Sequence, residues 1–175
     1  MKVLPANPSH IPVIRTIAYD TWPTTYGHII SEKQIIHMLG WMYSDESLRG
    51  QMEERGHRFL VAMEDDVCYG FASYELNGKK PGVTKIHKLY ILPQSQGRGV
   101  GSKLVHAVAT AAIEHGNSIV TLNVNRQNKA TDFYKKIGFS IAGEEDIDIG
   151  ESFLMEDYIM EAQSDVLKTT TLGSH

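Results

Sequence analysis

The sequence is poor in several features that would assign a protein to a class. Among its 175 residues, Cys68 is the one cysteine, which excludes an internal disulfide and a disulfide-stabilised secreted scaffold. No stretch reaches the roughly 18 apolar residues that a membrane-spanning helix needs. The first ten residues have no apolar segment behind a basic end, as a secretory signal has. We therefore expect a cytoplasmic protein without a membrane partner.

Positive charge and metal-binding motifs are also lacking. Lysine and arginine total 17 against 21 acidic residues, so the net charge is −4, and no overall positive field exists to attract a nucleic acid. The eight histidines form no H-E-x-x-H motif and no cluster with the cysteine, so we expect no metal site. The acidic segment EEDIDIGE lacks the ligand spacing of an EF-hand loop.

The apolar pattern predicts one α/β (α+β) domain over residues 1 to 163, followed by a flexible tail over residues 164 to 175. The predicted order of elements is β-α-α-β-β-β-α-β-α-β-β, with a further helical turn between residues 44 and 55. Asn7 and Ser31 are typical N-caps of the first two helices. Pro23, after Trp22, is predicted to end the first helix.

The segment ILPQSQGRGVGSKLV, residues 91 to 105, joins a predicted strand to a predicted helix through three glycines. The first amides of a helix have no internal partner and attract anions, so this joint favours a phosphate or pyrophosphate. A flexible turn that needs glycine only for packing is the alternative. The order of Ser102 and Lys103 excludes a Walker A loop, and the glycine spacing does not match the dinucleotide fingerprint.

Two motifs together resemble the GCN5-related N-acetyltransferases, the GNAT family. The first is Gln96-x-x-Gly99-x-Gly101 after a strand, and the second is NRQNKATDFYKKIGF, residues 125 to 139. The resemblance implies a mixed, mostly antiparallel sheet flanked by helices and the use of acetyl-CoA. It also implies two sets of cofactor-binding residues. The pyrophosphate loop and its helix comprise Gln96, Gly97, Arg98, Gly99, Val100, Gly101 and Ser102, while Leu89, Tyr90, Ile91 and Asn128 contact the rest of the cofactor.

Transfer of an acetyl group to an amine requires a base for the amine and an acid for the leaving thiolate. Tyr134 matches the tyrosine that the family often uses as the acid, although a core aromatic is the alternative. His87 occupies a position where relatives frequently have a glutamate, and we predict that it is the base, with a hydrogen-bonded strand histidine as the alternative. The reserve candidates for the base are Glu75, Glu156 and Asp157. An acetyl-cysteine at Cys68 is disfavoured because a cysteine in a β-rich run is usually buried.

The predicted acceptor site comprises Trp22, Tyr26 and Glu156, which offer aromatic faces and counter-charge to a cation. A looser resemblance to bacterial polyamine N-acetyltransferases, in the segments TWPTTYGHI, MYSDESLRGQM and FLMEDYIM, implies spermidine or spermine as the small-molecule amine substrate. Protein N-termini or lysines, amino acids and aminoglycosides remain alternatives, as does a non-catalytic acyl-CoA sensor. Family members often dimerise, so the resemblance also allows a homodimer.

Overall fold

In the computed structural model, which describes residues 1–172, seven strands form one sheet with helices on both faces. The strands are β1 (Lys2–Pro5), β2 (Arg58–Glu64), β3 (Val67–Glu75), β4 (Val83–Ile91), β5 (Ile119–Asn125), β6 (Ser140–Asp148) and β7 (Leu154–Gln163). The helices are α1 (Ile11–Tyr26), α2 (Glu32–Met42), α3 (Asp45–Glu53), α4 (Val100–Glu114), α5 (Ala130–Ile137) and α6 (Ser164–Leu172). The order across the sheet is β1-β2-β3-β4-β5-β7-β6.

The sheet is mixed and mostly antiparallel, which confirms the predicted fold class. β4 and β5 pair in parallel, while the other neighbouring pairs are antiparallel. The helix starts follow the sequence closely. The Asn7 side chain accepts a hydrogen bond from the Ser9 N–H at 2.9 Å and caps a 3-10 turn, Pro8–His10, that leads directly into α1. The Ser31 hydroxyl accepts one from the Gln34 N–H at 3.1 Å and caps α2. These bonds satisfy amides that have no partner inside the helix.

The first helix differs from its prediction, because α1 continues through Pro23 to Tyr26. A proline inside a helix removes one hydrogen bond and costs about 3 kcal/mol. Trp22 and Tyr26, on either side of Pro23, are both buried, and their ring centroids lie 4.5 Å apart. Burial of two aromatic side chains offsets a cost of that size, so tertiary packing overrides the local signal for a helix end.

The hydrophobic core has two parts, one on each face of the sheet. Helices α1, α2 and α3 cover one face, where Ile14, Trp22 and Leu48 are fully buried. Helices α4, α5 and α6 cover the other face, where Leu104 and Leu122 are fully buried. No helix within residues 1–172 combines the length and the apolar character that crossing a membrane requires.

The predicted flexible tail is wrong over Ser164–Leu172, which form α6. Leu167 is fully buried in the core beside α4, and the Ser164 hydroxyl donates a hydrogen bond to the Asn117 carbonyl at 2.8 Å. The His106 ring nitrogen Nδ1 lies 3.1 Å from the Lys168 carbonyl oxygen. One buried leucine gives little periodicity in the sequence, so this helix depends on its neighbours. Residues 173 to 175 of the predicted tail lie outside the described residues.

β4 and β5 separate toward their carboxyl ends, and this separation positions the site. Their pairing stops at Ile86 and Leu122, although β4 runs on to Ile91 and β5 to Asn125. β4 also contains a bulge, since Ile86 and Lys88 pair with adjacent residues of β3 and His87 is the extra residue. The bulge changes the direction of β4, and a wedge opens between the two strands.

Candidate active site

A cavity of about 1500 Å³ lies in the wedge between β4 and β5. Its two ends differ in construction. At one end, which we call the loop end, it is bounded by the glycine joint and the start of α4. At the other end, which we call the helix end, it reaches α1, α2 and α3. Cavities of this kind at the carboxyl ends of strands are the usual location of ligand sites in such sheets.

Most of the predicted cofactor residues line this cavity. They are Leu89, Tyr90, Ile91, Gln96, Gly97, Gly99, Val100, Gly101, Ser102 and Asn128. Gly97 and Gly99 have φ angles of +82° and +76°, and Gly99 is the N-cap of α4. Positive φ at these two positions turns the chain so that the first amides of α4 are available to an anion.

Gly101 has a different role from Gly97. A Cβ atom on Gly101 would lie 3.2 Å from Phe133 Cζ and 3.4 Å from Ile91 Cδ1, whereas one on Gly97 would have no atom within 4 Å. Glycine at position 101 therefore allows α4 to approach α5 and β4 closely. Close packing, one of the two explanations for the glycine joint, therefore accounts for Gly101, while an anion site at Gly97 and Gly99 stays a prediction.

Arg98, which the resemblance places in the pyrophosphate loop, directs its side chain elsewhere. Its Nη2 donates a hydrogen bond to Glu64 Oε2 at 3.1 Å, and its guanidinium lies 4.8 Å from the centroid of the Tyr69 ring. The side chain is thus held against β2 and β3, and Arg98 is not among the residues found to line the cavity. Arg98 contributes to the loop through its backbone only.

The edge of β4 that faces the wedge carries backbone groups without a strand partner beyond Ile86. Leu89 and Ile91 direct their side chains to the face of α4, while Tyr90 packs among the aromatic residues on the α1 face. The Tyr90 hydroxyl lies 3.1 Å from the Tyr26 hydroxyl. Asn128 starts α5 by accepting a hydrogen bond from the Ala130 N–H at 2.9 Å. An extended ligand arm can add to this edge as a further strand would.

Tyr134 and Asp157 both line the cavity, Tyr134 from α5 and Asp157 from β7, the strand that pairs with β5. Tyr134, on α5, is buried, and desolvation, together with the nearby Tyr26 hydroxyl, raises its pKa. Asp157, on β7, is 6% exposed and accepts a hydrogen bond from Asn123 Nδ2 at 3.4 Å. Burial raises the pKa of Asp157, and the charge of Glu145 acts in the same direction. Both groups therefore hold a proton more strongly than they would in water.

His87 also lines the cavity, at the bulge of β4. Its Nε2 lies 3.2 Å from Glu75 Oε1, and its ring stacks on His57 with centroids 4.1 Å apart. Burial lowers the pKa of His87 to about 3, and the charges of nearby lysines, Lys85 and Lys88 foremost, add to this effect. Burial likewise lowers the pKa of His57 to about 4. Both imidazoles are neutral at pH 7.

His57, Glu75 and His87 offer metal-ligand atoms that lie within 4.8 Å of one another. The sequence did not indicate this group, because its members are far apart in the chain and lie on different strands or loops. The positive charges that depress the two histidine pKa values also repel a divalent cation. A hydrogen-bonded and stacked group accounts better for the arrangement than a metal site does.

The predicted acceptor residues separate in the structure. Trp22 and Tyr26 line the cavity, but Trp22 is only 1% exposed and belongs mainly to the core. Glu156 does not face the cavity, contrary to the prediction that it belongs to the acceptor site. It is exposed on the face of β7 opposite to Asp157, because successive strand residues point to opposite faces. The reserve candidate Asp157 faces the cavity instead.

The acidic segment EEDIDIGE, residues 144 to 151, directs most of its carboxylates away from the cavity. Ile147 and Ile149 of this segment line the cavity. Glu144 and Asp146 project outward, and each forms an ion pair with Arg126. Strand alternation along β6 thus places the apolar side chains inward and most of the acids in solvent.

The helix end instead contains cations that the sequence did not indicate as site residues. Arg55 follows α3, and Lys85 and Lys88 lie on β4; all three line the cavity.

Cys68 is buried in the core on the α1 face, and burial raises the pKa of its thiol. The position and raised pKa of Cys68 argue against an acetyl-cysteine intermediate.

Comparison with known proteins adds to this geometry. The family described as Acetyltransferase (GNAT) domain matches residues 29–156. A spermidine N(1)-acetyltransferase of Thermoplasma acidophilum is 29% identical over 145 residues, which cover 80% of this chain and 86% of that protein. An uncharacterized N-acetyltransferase of Methanocaldococcus jannaschii is 32% identical over 99 residues, or 47% of this chain and 42% of that protein. This match therefore spans less than half of the M. jannaschii protein.

Among solved structures, the PaiA N-acetyltransferase of Thermoplasma acidophilum in complex with coenzyme A superposes with a TM-score of 0.77. The two chains are 25% identical, and the match covers 93% of this chain and 99% of the other. The similarity thus extends over nearly the whole of both folds.

Proposed function

Because the chain belongs to the GNAT acetyltransferase family, we propose that it transfers the acetyl group of acetyl-CoA directly to a primary amine. The observation that carries the proposal is the single cavity that joins an anion site at the start of α4 to the open edge of β4 and to Tyr134. In the reaction, the neutral amine nitrogen bonds to the acetyl carbon and loses a proton, the carbon–sulfur bond breaks, and the thiolate of CoA takes up a proton.

The residues of the loop end fit coenzyme A. The amides at the start of α4 suit its pyrophosphate, and the open side of Gly97 leaves space for the phosphate oxygens. Leu89, Tyr90 and Ile91 offer the free strand edge to the amide groups of the pantetheine arm. Coenzyme A in the T. acidophilum neighbour supports this assignment.

We assign Tyr134 as the acid that protonates the leaving thiolate. It lies on the cavity wall, and its raised pKa keeps it protonated at neutral pH. A thiol has an ordinary pKa of about 8.5 and a tyrosine one of about 10. The proton transfer is therefore uphill in water, and the raised pKa of Tyr134 makes it more so in the cavity. The assignment rests on the position of Tyr134 at the cavity wall, from which its proton can meet the thiolate as it departs.

We assign Asp157 as the base in preference to His87. An amine with a pKa of about 10.4 must lose a proton before it attacks, and an imidazole with a pKa of about 3 is a weak acceptor for it. The pKa of Asp157 is shifted in the favourable direction. Loss of the low-pH limb of kcat/KM in Asp157→Asn would support this assignment, and its loss in His87→Gln instead would return the role to His87.

A polyamine is one candidate for the primary amine that accepts the acetyl group, and the similarity to the spermidine N(1)-acetyltransferase of T. acidophilum supports it. Asp157 can bind one ammonium group. However, Arg55, Lys85 and Lys88 line the helix end and would repel a polycation. Contact of the substrate with Asp157 would favour a polyamine, whereas contact with Arg55, Lys85 and Lys88 would favour an acceptor that is not a polycation.

The proposal is tested by free-thiol release from acetyl-CoA with a panel of polyamines, amino acids, peptides and aminoglycosides, together with calorimetric titration of CoA. Turnover with any amine and micromolar binding of CoA are the expected results. Binding of CoA without turnover across the panel would contradict the enzymatic role and favour an acyl-CoA sensor. Absence of CoA binding would contradict the cofactor assignment itself.

A further inference from the structure

Lys88 is a buried cation at the helix end of the cavity. It is 5% exposed, and its Nζ donates a hydrogen bond to Gln51 Oε1 at 2.7 Å. The rings of Tyr43 and Phe59 lie 5.6 and 5.8 Å from the same nitrogen. Throughout residues 1–172, no carboxylate forms an ion pair with Lys88. The ammonium group is thus held by one neutral acceptor and two aromatic faces.

A buried charge without a counter-charge is costly, and proteins normally pair such a group. Burial lowers the pKa of Lys88 to about 7, and the charge of Arg55 adds to this shift. The surrounding groups do not offer a substitute. Arg55, Lys85 and the neutral His57 and His87 line this wall, and the carboxylate beside them, Glu75, contacts His87 instead, with its Oε1 3.2 Å from His87 Nε2. The wall therefore has a deficit of negative charge.

The same wall borders the space in which an acceptor must lie. Lys88 follows His87 at the bulge of β4, directly before the open edge formed by Leu89 to Ile91. Gln51 anchors α3 over this position through its Nε2, which donates to the Met42 carbonyl at 3.0 Å. Lys88 is thereby held at a fixed place in the cavity wall rather than on a mobile surface.

We propose that Lys88, assisted by Arg55, binds a carboxylate of the acceptor, so that the acceptor is a primary amine that also carries a carboxylate. This inference rests on the proposed acetyl transfer and names its substrate class. The carboxylate supplies the missing counter-charge to Lys88, while Asp157 faces the cavity from β7 and serves the amine. Free amino acids have this combination of groups, and polyamines do not.

The test compares acceptors that differ only in the carboxylate. Thiol release is measured with lysine against 1,5-diaminopentane, with ornithine against 1,4-diaminobutane, and with spermidine. The expected kcat/KM is at least about 10-fold higher for the member of each pair that carries the carboxylate, since a charge-assisted hydrogen bond inside a cavity contributes at least that factor.

Lys88→Met removes the charge at nearly the same volume, and we expect it to reduce that ratio to about one. Because the variant also removes a buried charge, its melting temperature should not fall, which separates lost binding from lost folding. Arg55→Met changes an exposed side chain and should reduce the ratio partially without risk to the core. Lys136→Met removes a lysine that lines the cavity from α5 and should leave the ratio unchanged.

Equal rates for both members of each pair, a preference for spermidine, or a carboxylate preference that persists in both Lys88→Met and Arg55→Met would overturn the inference. Each of these outcomes would leave acetyl transfer intact, since thiol is still released. Absence of thiol release with every amine would instead contradict the proposed function on which the inference rests.

Discussion

The two ends of the cavity are built in different ways. The loop end is formed largely by consecutive residues, Gln96 to Ser102, and its binding groups are backbone amides held by the conformation of Gly97 and Gly99. The helix end is formed by side chains from α1, α2, α3, β4 and β7, which are remote in sequence. A site made of backbone leaves a continuous motif, whereas a site made of side chains depends on how the elements pack.

This difference indicates which part of the site is shared and which is particular to this protein. In the proposed function, the loop end binds a phosphate through backbone amides, which do not depend on the side chain. In our proposals, the helix end binds an acceptor through charges such as Lys88 and Asp157, which single substitutions can change. We therefore expect cofactor binding and acceptor choice to respond to separate mutations.

The largest effect should come from Tyr134, which lies where the two ends meet. We expect Tyr134→Phe to lower kcat about 100-fold, because the leaving thiolate loses its proton donor. The dissociation constant of CoA, measured by calorimetry, should change less than 2-fold, since the ring and its packing on Phe139 are retained. An unchanged kcat would show that Tyr134 is only a core aromatic.

Gly97 and Gly116 form a matched pair that isolates the loop end. Both have positive φ, and a Cβ atom on either would have no atom within 4 Å. Alanine at each should therefore cost a similar stability, about 1 kcal/mol. We expect Gly97→Ala to weaken CoA binding about 10-fold in calorimetric titration and Gly116→Ala to leave it unchanged. Equal weakening by both variants would mean that only overall stability was affected.

The two stacked histidines make the helix end sensitive to acid. The pKa of His87 is about 3 in the folded protein against an ordinary value near 6.5, so the unfolded chain gains a proton first as the pH falls. The free energy of unfolding should decrease below pH 6.5, down to the folded pKa, by about 1.4 kcal/mol per pH unit for each such group. Urea titrations from pH 7 to pH 4.5 should show a shallower decrease in His87→Gln. Equal slopes in the two proteins would contradict the lowered pKa.

The smallest effect should come from Cys68, which belongs to neither end of the cavity. We expect Cys68→Ala to change kcat less than 2-fold in the thiol-release assay, because the thiol is buried in the core and its pKa is raised. Iodoacetamide should leave the native protein active for the same reason. A large loss of kcat in a variant with an unchanged melting temperature would revive the acetyl-cysteine intermediate.

Much of the fold could be predicted from the sequence because its signals are local. Ser31 caps α2 as expected, Asn7 caps the 3-10 turn that leads into α1, and the glycine joint lies between a strand and a helix as its pattern indicates. The predictions that failed depended on distant contacts. α1 continues through Pro23 because its aromatic neighbours are buried in the core, and α6 is helical because Leu167 is buried beside α4.

The sequence by itself determined the family resemblance, the capped helices and the loop end, since each depends on residues that are close together in the chain. Only the tertiary structure decided which acid faces the cavity, why Arg98 is turned away, and where Lys88 lies relative to Gln51. Strand alternation separates Glu156 from Asp157, and the bulge at His87 directs Lys88 toward α3. The physical reason is that burial and the partners of a charge are set by residues brought together from across the chain, and no local pattern encodes them.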